Sequence, residues 1–437
     1  MNRAGLTTAG GEPIRVIYPG RKNDGRGADF RDAVIATNQG VIKGDIEVHV
    51  KSSDWQAHRH HQDPAYNRVI LHVVMWHNSQ TATELRNGKT APILTLDTHL
   101  EGPSTHGAGA AHPPVGFGMP CLETAKGLAS HALAEFLDSA GERRFSVKAA
   151  QFQAELSQIE ASQCLYQGIM GALGYIKNKP PMLKLARRVP LQILQSRAQG
   201  EVSDGECLAR LQALLLGTAG LLPSQRQNRE YQNDEWANKL EGIWASSPDT
   251  RAMSEDDWHL FKVRPNNFPP RRIAAMSYLI LRYRERGMLE QVVDVIKETP
   301  VSKGYLRLEK ELEVTAHGYW ASHFDFGFKS YNPTLLGRWR AADIAVNVLL
   351  PFVLAWGKLN SQPGVEGKTC ELYRGYPKLA ANTVERHMTK QLGLNSSLVN
   401  SARRQQGLIH VYNTLCTQGK CNSCRLSQPE AGHHIQV

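Results

Sequence analysis

The most regular alternation of polar and apolar positions lies in residues 44–51, which read G-D-I-E-V-H-V-K. A period of two predicts a half-buried β-strand, because successive side chains point to opposite faces. One face would carry Asp45, Glu47, His49 and Lys51, and the β-branched face would pack in a core. Two acids, an imidazole and an ammonium on one face are typical of a metal or phosphate site, although a solvated polar face has the same pattern.

Similar patterns organise the rest of the chain. Short apolar runs bounded by turn residues predict strands at residues 14–18, 30–37, 41–50, 68–75 and 93–96. Residues 101–119 are rich in Gly, Pro, Ala and His and predict a loop. Beyond residue 121 the apolar spacing becomes helical, over residues 122–137, 146–173, 181–198, 206–222, 272–297, 302–317, 335–356 and 378–392.

These elements predict an α/β N-terminal domain with a mixed sheet over residues 1–120. A larger, mostly α-helical region would follow over residues 121–437. A length of 437 residues suits two or three domains. The chain shows no signal peptide, and its longest apolar stretch is interrupted by Asn347 and Pro351. These two observations, together with the odd number of cysteines, seven, favour a cytoplasmic protein that has reduced thiols and no membrane partner.

Charge and motifs narrow the function classes. The net charge of +10 is spread along the chain, which permits an anionic partner such as DNA or RNA without requiring one. The sequence contains no P-loop and no G-x-G-x-x-G motif, so ATP-driven work by this chain alone is not expected.

Histidines are concentrated after the charged strand. Six of the 17 fall between His49 and His77, and the densest part is H-R-H-H-Q-D at residues 58–63. Neutral imidazoles and a carboxylate can hold zinc, so His58, His60 and Asp63 are candidate ligands of a zinc-dependent hydrolase. The alternative is a set of surface or core histidines, each with its own hydrogen bond.

A second candidate metal site combines acids from two strands. Asp29 follows a turn containing Gly25 and Gly27, and Glu47 lies in the charged strand. Carboxylates from adjacent strands can hold Mg²⁺, which prefers oxygen ligands and keeps several waters. Such an ion activates water and offsets the charge of a phosphate.

The third constellation is C-terminal. Cys416-x4-Cys421-x2-Cys424 has metal-ligand spacing. The fourth ligand of a zinc ion or an iron–sulfur cluster could be Cys121, His410, His433 or His434. Reduced thiols in a tail are the alternative.

Several longer motifs add a resemblance. They are V-I-Y-P-G-R-K-N-D (16–24), G-A-D-F-R-D-A-V-I (27–35), G-D-I-E-V-H-V-K-S-S-D-W (44–55), H-R-H-H-Q-D-P-A-Y-N (58–67), V-I-L-H-V-V (69–74), L-G-Y-I-K-N-K-P-P-M (173–182), V-R-P-N-N-F-P-P-R-R (263–272) and Q-Q-G-L-I-H-V-Y-N-T-L-C (405–416). Through them the chain resembles a bacterial family known as domain of unknown function 2851. Members of that family carry a further segment before the first strand, so the resemblance implies that this chain begins short.

The N-terminal domain of that family is similar to the PD-(D/E)XK nuclease superfamily. This resemblance implies that Asp29 is the acid of the "PD" element, with Ala28 in place of the proline. Glu47-Val48-His49 would be the (D/E)-x-K element, with a histidine where lysine is usual. His49 would then orient water or accept a proton, and Lys51 would supply the positive charge.

The function implied is a metal-dependent nuclease that acts on DNA or RNA. Its catalytic residues would be Asp29, Glu47, His49 and Lys51, with Asp29 and Glu47 as Mg²⁺ ligands. Residues near the mouth of the site would bind substrate, namely Trp55, His58, Arg59, His60 and Asp63. Trp55 could stack on a base or anchor the core. Two alternatives are a non-catalytic nucleic-acid-binding or scaffold protein on the same fold, and the zinc hydrolase.

Overall fold

The computed structural model describes residues 6–23, 25–97, 120–200, 202–226, 234–246, 251–395 and 397–427. The predicted loop at residues 101–119 and the two candidate ligands His433 and His434 lie outside these ranges.

The chain divides into two compact units. The first contains Met1–Gly141, Ala381–Asn400 and Arg404–Val437, and the second contains Glu142–Ala380 and Ser401–Arg403. The sequence pattern predicts a boundary at residue 120, with all later residues in one region. In the structure, two C-terminal segments belong to the same unit as the N-terminal strands.

Strands are concentrated in the first unit. They are β1 (Leu6–Thr7), β2 (Pro13–Tyr18), β3 (Arg21–Lys22), β4 (Phe30–Thr37), β5 (Gly40–Lys51), β6 (Val69–Trp76), β7 (Thr83–Glu84), β8 (Thr90–Ala91) and β9 (Ile93–Thr95). Short strands of the second unit are β10 (Val314–Thr315), β11 (His323–Asp325), β12 (Phe328–Lys329) and β13 (Thr334–Leu336).

The described helices account for most of the remaining chain. They are α1 (Asp54–Ala57), α2 (Pro120–Gly127), α3 (Ser130–Leu156), α4 (Ala161–Leu173), α5 (Lys179–Arg188), α6 (Leu191–Ala198), α7 (Asp204–Thr218), α8 (Glu235–Ala245), α9 (Pro269–Arg282), α10 (Met288–Glu298), α11 (Val301–Leu312), α12 (Tyr319–Ser322), α13 (Arg338–Ile344), α14 (Leu350–Leu359), α15 (Pro363–Arg374), α16 (Thr383–Gln391) and α17 (Ala402–Thr414). A π-helical turn, Ala345–Leu349, joins α13 to α14.

The main sheet of the first unit has the order β1-β2-β4-β5-β6-β9, and β3 also pairs with β4. β4 is antiparallel to its neighbours β2, β3 and β5, whereas β6 is parallel to both β5 and β9. The prediction of an N-terminal mixed sheet followed by a mostly helical region is therefore confirmed.

β5 differs from the prediction in which of its side chains are buried. Asp45 and Glu47 are 0% and 5% exposed, whereas Val48 and Val50 are 37% and 56% exposed. The expectation that the β-branched face packs in a core holds for Ile46 but is wrong for the two valines. Asp45 and Glu47 are buried because hydrogen bonds and an ion pair replace water around their carboxylates.

An irregularity in β4 and a glycine in β5 shape the sheet at this point. The pairing of β4 with β5 shifts between Phe30 and Ala33, where Asp32 has a φ of 60°. At Gly44 a Cβ would lie 2.4 Å from the Arg68 carbonyl oxygen. This close approach lets the N–H of the next residue, Asp45, donate to the same carbonyl at 2.8 Å. The bulge and the glycine together set how β5 presents its acids.

Helices pack against β2 and β4 of the same sheet. One core cluster joins Tyr18 of β2 and Val34 of β4 to Leu137 of α3, Met388 of α16 and Tyr412 of α17. Tyr412 also donates its hydroxyl to Asp32 Oδ2 at 2.9 Å, which ties α17 to the β4 bulge. The C-terminal helices thus pack on the strands that carry the candidate site.

The second unit has a separate, larger apolar core built from its helices. Two helical segments of the described chain, Asp204–Gln225 and Arg338–Leu359, have the length and hydropathy of a membrane span. Their most apolar windows are 78% and 72% buried inside the protein. Burial in this core accounts for their composition.

Candidate metal centre

Two carboxylates meet where the start of β4 pairs with β5. The backbone N–H of Asp29 donates to Glu47 Oε2 at 3.0 Å, and the backbone N–H of Val48 donates to Asp29 Oδ2 at 3.1 Å. The antiparallel pairing of Phe30 with Ile46 sets this register. The structure therefore brings together the two acids that the sequence analysis selected as magnesium ligands.

Two imidazoles lie beside the Glu47 carboxylate, and a third lies against one of them. Glu47 Oε1 is 3.5 Å from His49 Nε2 and 3.4 Å from His60 Nε2, and His58 Nδ1 is 3.2 Å from His49 Nε2. One ring nitrogen from each histidine lies within 4.8 Å of the other two. Such a group can hold a metal ion, with imidazole nitrogens and a carboxylate oxygen as donors.

A buried histidine orients His49 from behind. His49 Nδ1 is 2.9 Å from His72 Nε2, and His72 Nδ1 is 2.9 Å from Thr83 Oγ1. If His72 donates to Thr83, it accepts from His49 Nδ1–H, and His49 Nε2 keeps its lone pair towards Glu47. In that tautomer His49 can bind a cation or accept a proton. His72 itself is fully buried, and both of its ring nitrogens have hydrogen-bond partners.

The environment shifts the pKa values of these groups in opposite directions. Desolvation, followed by the neighbouring Glu47 carboxylate, raises the pKa of Asp29. Burial lowers the pKa of His49 and lowers the pKa of His72 to about 3. The site therefore combines His49 and His72, whose burial favours the neutral ring, with two mutually repelling carboxylates, an arrangement that a bound cation would stabilise.

The two remaining ionisable residues of the predicted polar face of β5, Asp45 and Lys51, have different surroundings. Asp45 Oδ2 accepts from Arg31 Nη1 at 2.9 Å, and Asp45 Oδ1 accepts from the backbone N–H of Asp32 at 3.1 Å. Asp45 thus holds the bulge of β4. Lys51 is exposed at the end of β5, where its backbone N–H donates to Asp54 Oδ2 at 3.0 Å. A catalytic role for Lys51 stays a prediction.

Trp55 lies in the core rather than at the mouth of the site. It is 1% exposed, and its Nε1–H donates to the Glu84 carbonyl oxygen at 2.9 Å. The core-anchor alternative therefore describes Trp55, and stacking on a base does not, because both faces of the ring are covered. Arg59, by contrast, is exposed in a left-handed conformation with a φ of 58°.

Asp63 has its carboxylate occupied by protein groups. Its Oδ2 accepts from Arg26 Nε at 3.0 Å and Nη2 at 2.9 Å, and its Oδ1 accepts from the Ala65 N–H at 2.9 Å. The predicted set of His58, His60 and Asp63 is thereby corrected. His49, from β5, is the third residue grouped with His58 and His60.

The C-terminal cysteines lie near Cys121 of α2. Cys121, Cys416 and Cys424 are buried in one core cluster, and Gln391 Nε2 is 3.6 Å from Cys121 Sγ and 3.8 Å from Cys416 Sγ. His410, the alternative ligand, is partly buried on α17. The seven cysteines, which all fall within the described residues, form no disulfide.

The sequence analysis missed one aromatic residue of the site. Tyr66 stacks on His60 with ring centroids 3.8 Å apart and an interplanar angle of 28°. It thereby fixes the plane of an imidazole next to Glu47. The signal was available, since Tyr66 follows the histidine cluster directly in P-A-Y-N, but a contact between two loop residues has no periodic pattern.

The comparisons with known proteins give one match. The family model described as Protein of unknown function (DUF2851) matches residues 1–380. No curated protein and no solved structure matches the chain.

Proposed function

We propose that this chain, which belongs to the DUF2851 family of proteins of unknown function, hydrolyses phosphodiester bonds of DNA or RNA with the help of a divalent cation. The observation that carries the proposal is the reciprocal bonding of Asp29 and Glu47 beside His49 Nε2. The order of these residues, an acid at a strand start followed by Glu-x-His on the antiparallel neighbour, supports a nuclease-like site of the PD-(D/E)XK kind.

Asp29 and Glu47 would hold Mg²⁺ or Mn²⁺ through carboxylate oxygens. The bound cation would lower the pKa of a water and offset charge on the phosphate. His49 would orient that water and take its proton at Nε2 as the water oxygen bonds to phosphorus and the P–O bond to the leaving group breaks. His72 would hold the His49 ring by bonding its Nδ1 atom. Exposed Lys51 and Arg59 would contact backbone phosphates.

The test is cleavage of single- and double-stranded DNA and RNA with Mg²⁺, Mn²⁺ or Zn²⁺ against a chelator control. Asp29→Asn and Glu47→Gln are each expected to lower the cleavage rate at least about 100-fold and to weaken Mn²⁺ binding measured by calorimetry. Glu12→Gln, an exposed carboxylate of the same unit, is the matched control. Folded protein that binds nucleic acid but cleaves none of the substrates with any metal would overturn the proposal in favour of a binding protein.

A second candidate is a transition-metal hydrolase. The grouping of His49, His58 and His60 within 4.8 Å favours it, because imidazole suits zinc better than magnesium. Zinc-dependent activity that His58→Gln removes, without a response to Mg²⁺, would identify this alternative. His131→Gln, an exposed histidine on α3, is its control.

A further inference from the structure

Four thiols from the two ends of the first unit converge on one region. Cys121 lies on α2, and Cys416, Cys421 and Cys424 lie in consecutive turns after α17. α2 packs against the turn Arg425–Ser427 that follows the last cysteine. The backbone N–H of Cys424 donates to the Cys421 carbonyl oxygen at 3.0 Å, which closes the Cys-x2-Cys turn. The fold thus adds a remote fourth thiol to a local group of three.

Gln391 of α16 lies between two of these sulfurs. Its amide nitrogen is 3.6 Å from Cys121 Sγ and 3.8 Å from Cys416 Sγ, and an amide NH₂ has one hydrogen for each. Thiolates and metal-bound sulfurs accept hydrogen bonds far better than neutral thiols. A side chain that donates to two sulfurs is therefore typical of the surroundings of a thiolate-bound metal.

We propose that Cys121, Cys416, Cys421 and Cys424 hold an iron–sulfur cluster. A single zinc ion with bonds of about 2.3 Å requires its sulfurs to lie about 3.8 Å apart. Among the described residues, the group of three or more ligand atoms that all lie within 4.8 Å of one another is that of His49, His58 and His60. The four cysteine sulfurs therefore lie farther apart than a single zinc ion requires. The wider arrangement of the thiols suits a cage of several irons, each bound by one cysteine.

The cluster would stabilise the packing of the C-terminal segment against the sheet. Lys43 Nζ of β5 donates to Gln418 Oε1 at 2.5 Å, and Gly419, with a φ of 65°, packs against Val34 of β4. Loss of the cluster would release these contacts on the strands that carry Asp29 and Glu47. The cluster is thus assigned a structural role, independent of whether the acids catalyse hydrolysis.

The test is anaerobic purification of the full chain, followed by measurement of iron, acid-labile sulfide, zinc and visible absorbance. Wild-type protein is expected to contain iron and sulfide in equal amounts. Cys421→Ser and Cys424→Ser are each expected to lower both to less than about a tenth. Cys370→Ser, a partly exposed thiol of the other unit, is the matched control and keeps both.

Two further variants distinguish the role of Gln391 at the cluster and the role of Glu47 in the acidic site. Gln391→Leu is expected to retain iron but to lower the reduction potential, because sulfurs without N–H donors stabilise the reduced cluster less. Glu47→Gln is expected to retain iron whatever its effect on cleavage, so failure of one proposal leaves the other standing. One equivalent of zinc without iron would overturn the cluster assignment, and wild-type protein with neither metal would overturn the site.

Discussion

Asp45 and Glu47 lie two residues apart on β5, and both are buried, but their partners differ. Asp45 is paired with a cation through Arg31, whereas Glu47 faces Asp29 and two imidazoles. A buried acid with a cationic partner stabilises the fold, while a buried acid beside another acid costs stability unless a cation binds. Position along one strand therefore does not decide which acid serves a site.

This contrast gives a residue-scale prediction. Asp45→Asn is expected to lower the free energy of unfolding by about 3 kcal/mol, because the Arg31 guanidinium loses its charged partner. Glu47→Gln is expected to change it by less than about 1 kcal/mol in chelator-treated protein, since an amide oxygen still accepts from the Asp29 N–H. Urea unfolding of both variants measures the difference.

Adding a divalent cation distinguishes the Asp45→Asn and Glu47→Gln variants further. Mn²⁺ is expected to raise the unfolding midpoint of wild-type and Asp45→Asn protein but not that of Glu47→Gln, because a ligand stabilises only the state that binds it. An equal Mn²⁺ response in all three proteins would show that Glu47 is not a ligand.

At the scale of elements, His387 of α16 meets Tyr18 of β2, with His387 Nε2 2.7 Å from the Tyr18 hydroxyl oxygen. Burial, followed by the charge of Arg21, lowers the pKa of His387 to about 4. The unfolded chain, with a pKa near 6.5, takes up the proton first. This contribution to stability is therefore complete above about pH 6.5 and is lost as the pH falls towards 4.

His387→Gln tests this contact while keeping a side chain that can bond to Tyr18. The free energy of unfolding of wild-type protein minus that of the variant is expected to fall by about 2 kcal/mol between pH 6.5 and pH 4, after allowance for solvent screening. Chemical denaturation at several pH values measures it. Parallel stability curves for the two proteins would show that the imidazole has its ordinary pKa in the folded state.

The strands also show how much of the fold and of the candidate site can be predicted from the sequence. The bounds of β2, β4, β5, β6 and β9 follow from runs of apolar and β-branched residues, because such runs are local. The buried face of β5 could not be predicted, since Arg31 and the histidine cluster cover Asp45 and Glu47 from other elements. Asp29 could be selected because it precedes a strand next to the one that carries Glu47, whereas the proximity of Cys121 to Cys416 depends on chain folding over nearly 300 residues.

For the whole molecule, the two compact units have separate apolar cores. The second unit contains an ion pair between Arg226 and Asp325, at 2.8 Å, whose side chains are 2% and 0% exposed. Removing one partner of such a pair leaves an uncompensated buried charge, which costs about 3–5 kcal/mol. Arg226→Met therefore selectively weakens the second unit.

If each unit unfolds independently, the destabilising effect of Arg226→Met will be confined to the second unit. Hydrogen exchange is expected to accelerate in α7 and α9 of the second unit and to stay unchanged in β4 and β5 of the first. A double variant, Arg226→Met with Asp325→Leu, is expected to recover part of the lost stability, because no charge then remains buried. Equal acceleration in both units would instead show that the chain unfolds as one cooperative body, in which the stability of the N-terminal sheet depends on the helical unit.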